Sequence, residues 1–81
     1  MIQVHVKLYA NLRRYRPELG IGETFACDVP DDTTVARLTG EILGMPREEV
    51  AIALVNGVQR EGSYSLRDGD QVALWPPIAG G

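Results

Sequence analysis

Pro30-Asp31-Asp32-Thr33-Thr34-Val35-Ala36-Arg37-Leu38-Thr39-Gly40-Glu41-Ile42-Leu43-Gly44-Met45-Pro46 is the one stretch of this chain that reads as a full helix with its own start and stop. Thr34, or Thr33, suits the N-cap, because a hydroxyl oxygen there accepts a bond from a free backbone N–H of the first turn. Asp31 and Asp32 suit the positive end of the helix dipole. Val35, Leu38, Ile42 and Met45 follow spacings of three, four and three, a single apolar stripe with Leu43 on its edge. Gly44 fits the C-terminal cap and Pro46 blocks continuation. Gly40 costs about 1 kcal/mol relative to Ala inside a helix, which suggests close packing on a sheet.

Strands flank this helix on both sides. Ile2, Val4, Val6 and Leu8 alternate with Gln3, His5, Lys7 and Tyr9, the period of a strand with one buried and one open face. A loop from Asn11 to Gly22 follows, broken by Pro17, Gly20 and Gly22, with room for a helical turn over Ala10 to Tyr15. Glu23 to Val29 alternates again, with Phe25, Cys27 and Val29 on one side. These first two strands are expected to form an antiparallel hairpin. After the helix, Val50 to Val55 is continuously apolar, Asn56-Gly57 is a strong hairpin turn, and Val58 to Arg60 returns. Gly62 to Leu66 is irregular, Asp68-Gly69 turns, and Gln71 to Trp75 is the last strand. The order strand, strand, helix, strand, short strand, strand is that of an α+β β-grasp: a mixed sheet with one main helix on one face. Residues 1–75 are expected to form that domain and residues 76–81 a flexible, extended Gly-Gly tail.

Composition narrows the function. A chain of 81 residues buries only roughly 60–65% of its unfolded surface, too little to enclose a deep catalytic pocket. With 44% hydrophobic and 23% charged residues it is nevertheless an ordinary globular chain. Eight basic against eleven acidic residues leave a net charge of −3, which predicts no nucleic-acid partner. Nothing approaches a membrane span or a signal peptide, and a single Cys suits a reducing compartment, so a cytoplasmic location is expected.

The catalytic inventory is nearly empty. His5 falls on the open strand face as a lone imidazole, and Cys27 falls with Phe25 and Val29 as a small core residue. No motif has metal-ligand spacing, and Gly20-Ile21-Gly22 lacks the context of a phosphate loop. Arg13, Arg14 and Arg16 make the one basic cluster, either a solvated loop or a contact for an acidic partner. What remains is Pro76-Pro77-Ile78-Ala79-Gly80-Gly81. The prolines force the chain off the sheet and favour an extended course. Six extended residues reach about 20 Å, and two glycines pass through a narrow channel. Such a tail can carry its terminal carboxylate into another protein's active site. Adenylation by ATP would activate that carboxylate, and a sulfur nucleophile would then yield a thiocarboxylate.

The stretch from Leu66 to Gly81, with its Asp68-Gly69-Asp70, Val72-Ala73, Pro76-Pro77 and Gly80-Gly81, resembles the C-terminal signature of the MoaD/ThiS sulfur carriers. Within that family it is most similar to the small subunit of molybdopterin synthase. Leu54-Val55-Asn56-Gly57 and Val6-Lys7-Leu8-Tyr9-Ala10-Asn11-Leu12-Arg13 resemble the family's strand before its Asn-Gly turn and its first strand. The resemblance implies that Gly81 is adenylated by a ubiquitin-activating-like enzyme that consumes ATP, the carrier binding no cofactor itself. Gly81 then becomes a thiocarboxylate, and Gly80 lets the tail pass. It further implies two carriers flanking a dimer of the large synthase subunit, a heterotetramer that delivers sulfur to cyclic pyranopterin monophosphate. The loop Arg13-Arg14-Tyr15-Arg16-Pro17-Glu18-Leu19 is longer and more basic than the usual molybdopterin form, and Gly62-Ser63-Tyr64-Ser65 replaces a more acidic turn.

Strand alternation places Trp75 and Ala73 on the open face with His5, Lys7 and Tyr9. A partner-binding surface of Lys7, Tyr9, Trp75, Pro76, Pro77, Ile78 and Ala79 follows, anchored by Trp75. Two other classes stay open: a carrier for another pathway (thiamine, tungsten cofactor, tRNA thiolation) or protein modifier, and a β-grasp interaction module with no use for its tail.

Overall fold

The computed structural model describes residues 1–77. Strand β1 (Ile2–Leu8) leads through a 3-10 turn (Ala10–Tyr15) and a loop to β2 (Thr24–Val29). Helix α1 begins as a single α-turn (Val35–Arg37) and continues as a π-turn (Leu38–Ile42). A second 3-10 turn (Arg47–Glu49) precedes β3 (Ile52–Val55), β4 (Val58–Gln59) and β5 (Gln71–Trp75). The strands form one sheet in the order β2-β1-β5-β3-β4. Strands β1 and β5 run parallel, and the other neighbours run antiparallel. This is the β-grasp read from the order of elements.

Alternation sets the two faces. Val4, Val6, Leu8, Val29, Ala53, Val55, Val72 and Leu74 are buried on the inner face. Val35, Leu38, Leu43 and Met45 cover them from the helix and its exit, joined by Leu12 and Leu66 from the connections. Phe25 and Cys27 share the inner side of β2 as expected but remain half-buried, since β2 is an edge strand. The Asn56-Gly57 turn has φ of 52° and 83°, the double positive φ that a two-residue hairpin turn requires.

The helix departs from the stripe read in the sequence. Leu43 N donates to Leu38 O at 2.9 Å, five residues back, so Leu43 rises over Leu38. Leu43 is therefore buried and Ile42 only half-buried, the reverse of regular α-helical spacing. Thr34 caps the helix as expected, its Oγ1 accepting from Arg37 N at 3.2 Å. Gly44 takes φ 70° at the other end, and Met45 N closes that end on Thr39 O at 2.8 Å. Gly40 is corrected: nothing lies within 4 Å of where its Cβ would be, so no close approach to the sheet requires it. Asp31 is engaged elsewhere too, its Oδ1 lying 2.9 Å from the Met1 ammonium.

Candidate docking face and tail root

Two aligned strands build the site. Parallel pairing matches His5 with Gln71 and Lys7 with Ala73, which sends their side chains to the face opposite the helix. One residue beyond β1, Tyr9 N still donates to Leu74 O at 3.1 Å, so the ladder carries Tyr9 alongside Trp75. Their rings stack with centroids 4.1 Å apart and planes 7° from parallel. Lys7 Nζ lies 5.6 Å from the Tyr9 ring centroid, a cation over an aromatic face. Strand β3 extends the surface, because Ile52 pairs with Trp75 and Leu54 with Ala73. Lys7, Tyr9, Leu54, Ala73 and Trp75 line a shallow open depression of about 280 Å³, together with His5 and Thr24.

Trp75 stands on the open face as strand alternation placed it, and is half-buried there because Tyr9 covers one of its faces. Ile52 and Leu54 belong to the surface but were not singled out among the candidate residues. Their signal was present in the unbroken apolar run Val50 to Val55, which leaves apolar groups on both faces.

The acidic turn before β5 is structural. Asp68 Oδ1 accepts from Gln3 N at 2.8 Å, and Gly69 N donates to Gln3 O at 2.8 Å. Asp70 is buried, accepting from Asn56 Nδ2 at 2.9 Å and from Arg67 N at 2.8 Å. Asn56 Oδ1 in turn accepts from Gln71 N at 2.9 Å. Asp68-Gly69-Asp70 and Asn56-Gly57 thus lock the register of β5 against β1 and β3, and with it the position of Trp75.

At the far end of β5, Ala51 N donates to Trp75 O at 2.9 Å, so the strand is held to its last residue. Pro76 is half-buried and Pro77 exposed, and neither has an N–H to extend the ladder. Ile78, Ala79, Gly80 and Gly81, the rest of the expected tail, lie outside the described residues.

The remaining candidates find ordinary roles. Burial pushes the Cys27 thiol above its usual range, partly opposed by the nearby Arg16 charge, and a protonated thiol is a poor nucleophile. Two of the three clustered arginines make contacts within the chain. Arg14 pairs with Glu49 and lies over the Tyr15 ring, while Arg16 lies 5.0 Å from the Phe25 ring centroid. Tyr15 donates its hydroxyl to Glu49 Oε2 at 3.0 Å, tying the long loop to the turn before β3. A larger groove of about 1030 Å³ lies between the helix and residues 59–63; its lining includes Arg47, Arg60 and Glu61 but no His, Cys or Asp. Among the described residues no three His, Cys, Asp or Glu side chains gather as a metal site, and no helix is long and apolar enough to cross a membrane.

A five-stranded mixed sheet gripping one short helix defines a ubiquitin-like β-grasp protein. The profile of the Mut7-C ubiquitin family matches residues 1–79, and the chain belongs to that family. No curated protein matches the sequence. Among solved structures, a protein described as molybdopterin converting factor subunit 1 from Pyrococcus furiosus is similar at 24% identity and TM-score 0.73. That match covers 96% of this chain and 100% of that one. SAMP1 from Haloferax volcanii matches at 26% identity and TM-score 0.66, covering 98% and 99% of the two chains. The Caldiarchaeum subterraneum ubiquitin shares the fold at 15% identity and TM-score 0.64, over 99% and 98%. The MoaD/ThiS-like resemblance read in the C-terminal signature thus stands together with the fold.

Proposed function

We propose that this chain is a ubiquitin-like sulfur carrier whose reactive group is the carboxylate of Gly81. A ubiquitin-activating-like enzyme adenylates Gly81 with ATP, and a sulfur donor displaces AMP to leave a thiocarboxylate. The acceptor we favour is cyclic pyranopterin monophosphate, reached through the large subunit of molybdopterin synthase, with the work done inside the cytoplasm. The observation that carries this is the Tyr9–Trp75 stack on an uncovered sheet face, at the residue where the chain leaves the sheet for Pro76-Pro77. A docking anchor and the root of a Gly-Gly tail are thereby one structural unit. The 24% identity to a molybdopterin converting factor subunit supports the fold, and the Pro-Pro before the tail supports the choice of pathway.

Mass spectrometry of the chain with its activating enzyme, ATP and a sulfur donor tests the proposal. The expected product carries the mass gain of one sulfur replacing one oxygen at Gly81. Activity retained after deletion of Gly81 overturns every carrier reading. A second reading, a protein modifier, is favoured by the similarity to SAMP1 at 26% identity. It predicts covalent conjugates of the chain with other proteins, seen as ladders on denaturing gels of cell extract.

A further inference from the structure

The groove of about 1030 Å³ between the helix and residues 59–63 has no part in the carrier chemistry, and it shares no lining residue with the depression at Trp75. Its walls are fixed. Val35 N donates to Tyr64 O at 3.0 Å, Ala36 N to Gly62 O at 2.9 Å and Leu66 N to Thr33 O at 2.8 Å, so the loop is stitched to the first turn of the helix. Gly62 permits that approach, since a Cβ there would stand 3.1 Å from Ala36 Cβ. Gly40 leaves room along the helix, with nothing within 4 Å of where its Cβ would be.

Charge sets this groove apart. The chain carries a net charge of −3, yet the lining holds two arginines, Arg47 and Arg60, against one acid, Glu61. Among the described residues neither guanidinium has an ion-pair partner, whereas Arg14 is paired with Glu49 and Arg37 with Glu41. Arg60 is nonetheless held in place, its guanidinium 4.6 Å from the Tyr64 ring centroid. No aromatic side chain lines the groove, so a nucleobase has nothing to stack on. The volume is on the scale of a short peptide rather than of a lone anion.

We propose that this groove is a second docking surface, which takes an acidic segment of a partner protein and sets two of its carboxylates on Arg47 and Arg60. A guanidinium fork suits a carboxylate through paired N–H···O bonds, and walls already in place leave little ordering to oppose binding. Ala53 of the inner sheet face lines the groove, and Trp75 stands on the other face. One partner can therefore hold the chain while another occupies the Trp75 side. The proposal stands apart from the carrier reading, since it uses no residue of the tail.

The test titrates the full isotope-labelled chain with hexaglutamate and follows its backbone amides by NMR. Saturable shifts are expected at Thr39, Gly40, Ala51 and Gly62. Arg47→Ala combined with Arg60→Ala should weaken binding about tenfold, the scale of two exposed charge-assisted contacts. Arg37→Ala combined with Arg67→Ala removes the same charge outside the groove and should leave the affinity unchanged. Gly40→Glu sets a carboxylate in the open space beside the helix and should abolish binding with both arginines intact, which decides the matter if the first double variant fails to fold. Shifts centred on Lys7 and Trp75 or on Arg13 to Arg16, equal losses in the two double variants, or no saturable shift overturns the proposal. So does inorganic phosphate or oligothymidylate giving the same shifts at lower concentration, which makes the groove a phosphate site. None of these outcomes bears on thiocarboxylate formation at Gly81.

Discussion

Tyr9 and Trp75, sixty-six positions apart in sequence, stack face to face with ring centroids 4.1 Å apart. Neither ring reaches the core. Both stand on the side of the sheet that the helix leaves bare, one at the end of each of two parallel strands. Stacking restrains both rings in the free protein, which would lower the entropy lost in the docking proposed above.

Trp75→Ala should weaken binding of the activating enzyme by about 2 kcal/mol, roughly thirtyfold in Kd, the scale of an aromatic anchor. Loss of the stacked pair should cost the free protein only about 0.5–1.5 kcal/mol, so the fold survives. Calorimetric titration checks the first number and thermal melting the second. An unchanged affinity would remove Trp75 from the docking surface.

Asp70→Ala should destabilise the chain more than any exposed acidic substitution. It strips the acceptor from Asn56 Nδ2 and from Arg67 N at a buried position. A cost of about 1.5–3 kcal/mol is expected for orphaned donors, lowering Tm by roughly 6–24 °C in a domain of this size. Asp28→Ala, on an exposed residue, serves as the comparison.

Gly40→Ala should stabilise. Gly40 is exposed, with open space where its Cβ would stand and no positive φ to forbid one. Replacing it narrows the unfolded ensemble and improves helix propensity, a gain of about 0.5–1 kcal/mol. A fall in the urea midpoint would mean that the π-turn needs glycine after all.

Cys27 should alkylate slowly. Burial raises its pKa, so at pH 8 less thiolate is present than in an ordinary cysteine. The rate with iodoacetamide should climb only at higher pH than for a free cysteine peptide. The sign for stability follows: a folded pKa above the unfolded one means that stability falls as pH rises beyond the ordinary thiol range. A rate equal to that of the free peptide at pH 8 contradicts the burial.

Much of this was legible in the residues. Period-two alternation in Ile2 to Tyr9 and Gln71 to Trp75 placed Lys7, Tyr9, Ala73 and Trp75 on one face, because side chains of a strand must alternate. Asn56-Gly57 announced its turn through backbone sterics that glycine and asparagine relieve. Arg14 and Glu49 were not legible as a pair. Thirty-five positions separate them, and no local rule connects a loop arginine to a distant turn.

The sequence by itself determined the alternating faces, the turns, and the Pro-Pro and Gly-Gly run on which the carrier proposal rests. Each of these depends on local geometry, steric or covalent. Only the tertiary structure decided what stands next to what. Parallel pairing of β1 and β5, locked by Asp68 on Gln3 and Asp70 on Asn56, sets Tyr9 against Trp75. A slip of one residue would turn Trp75 to the other face. The π-turn likewise traded Ile42 for Leu43, because the helix settles in the register that best fills the core rather than the one its spacing suggests.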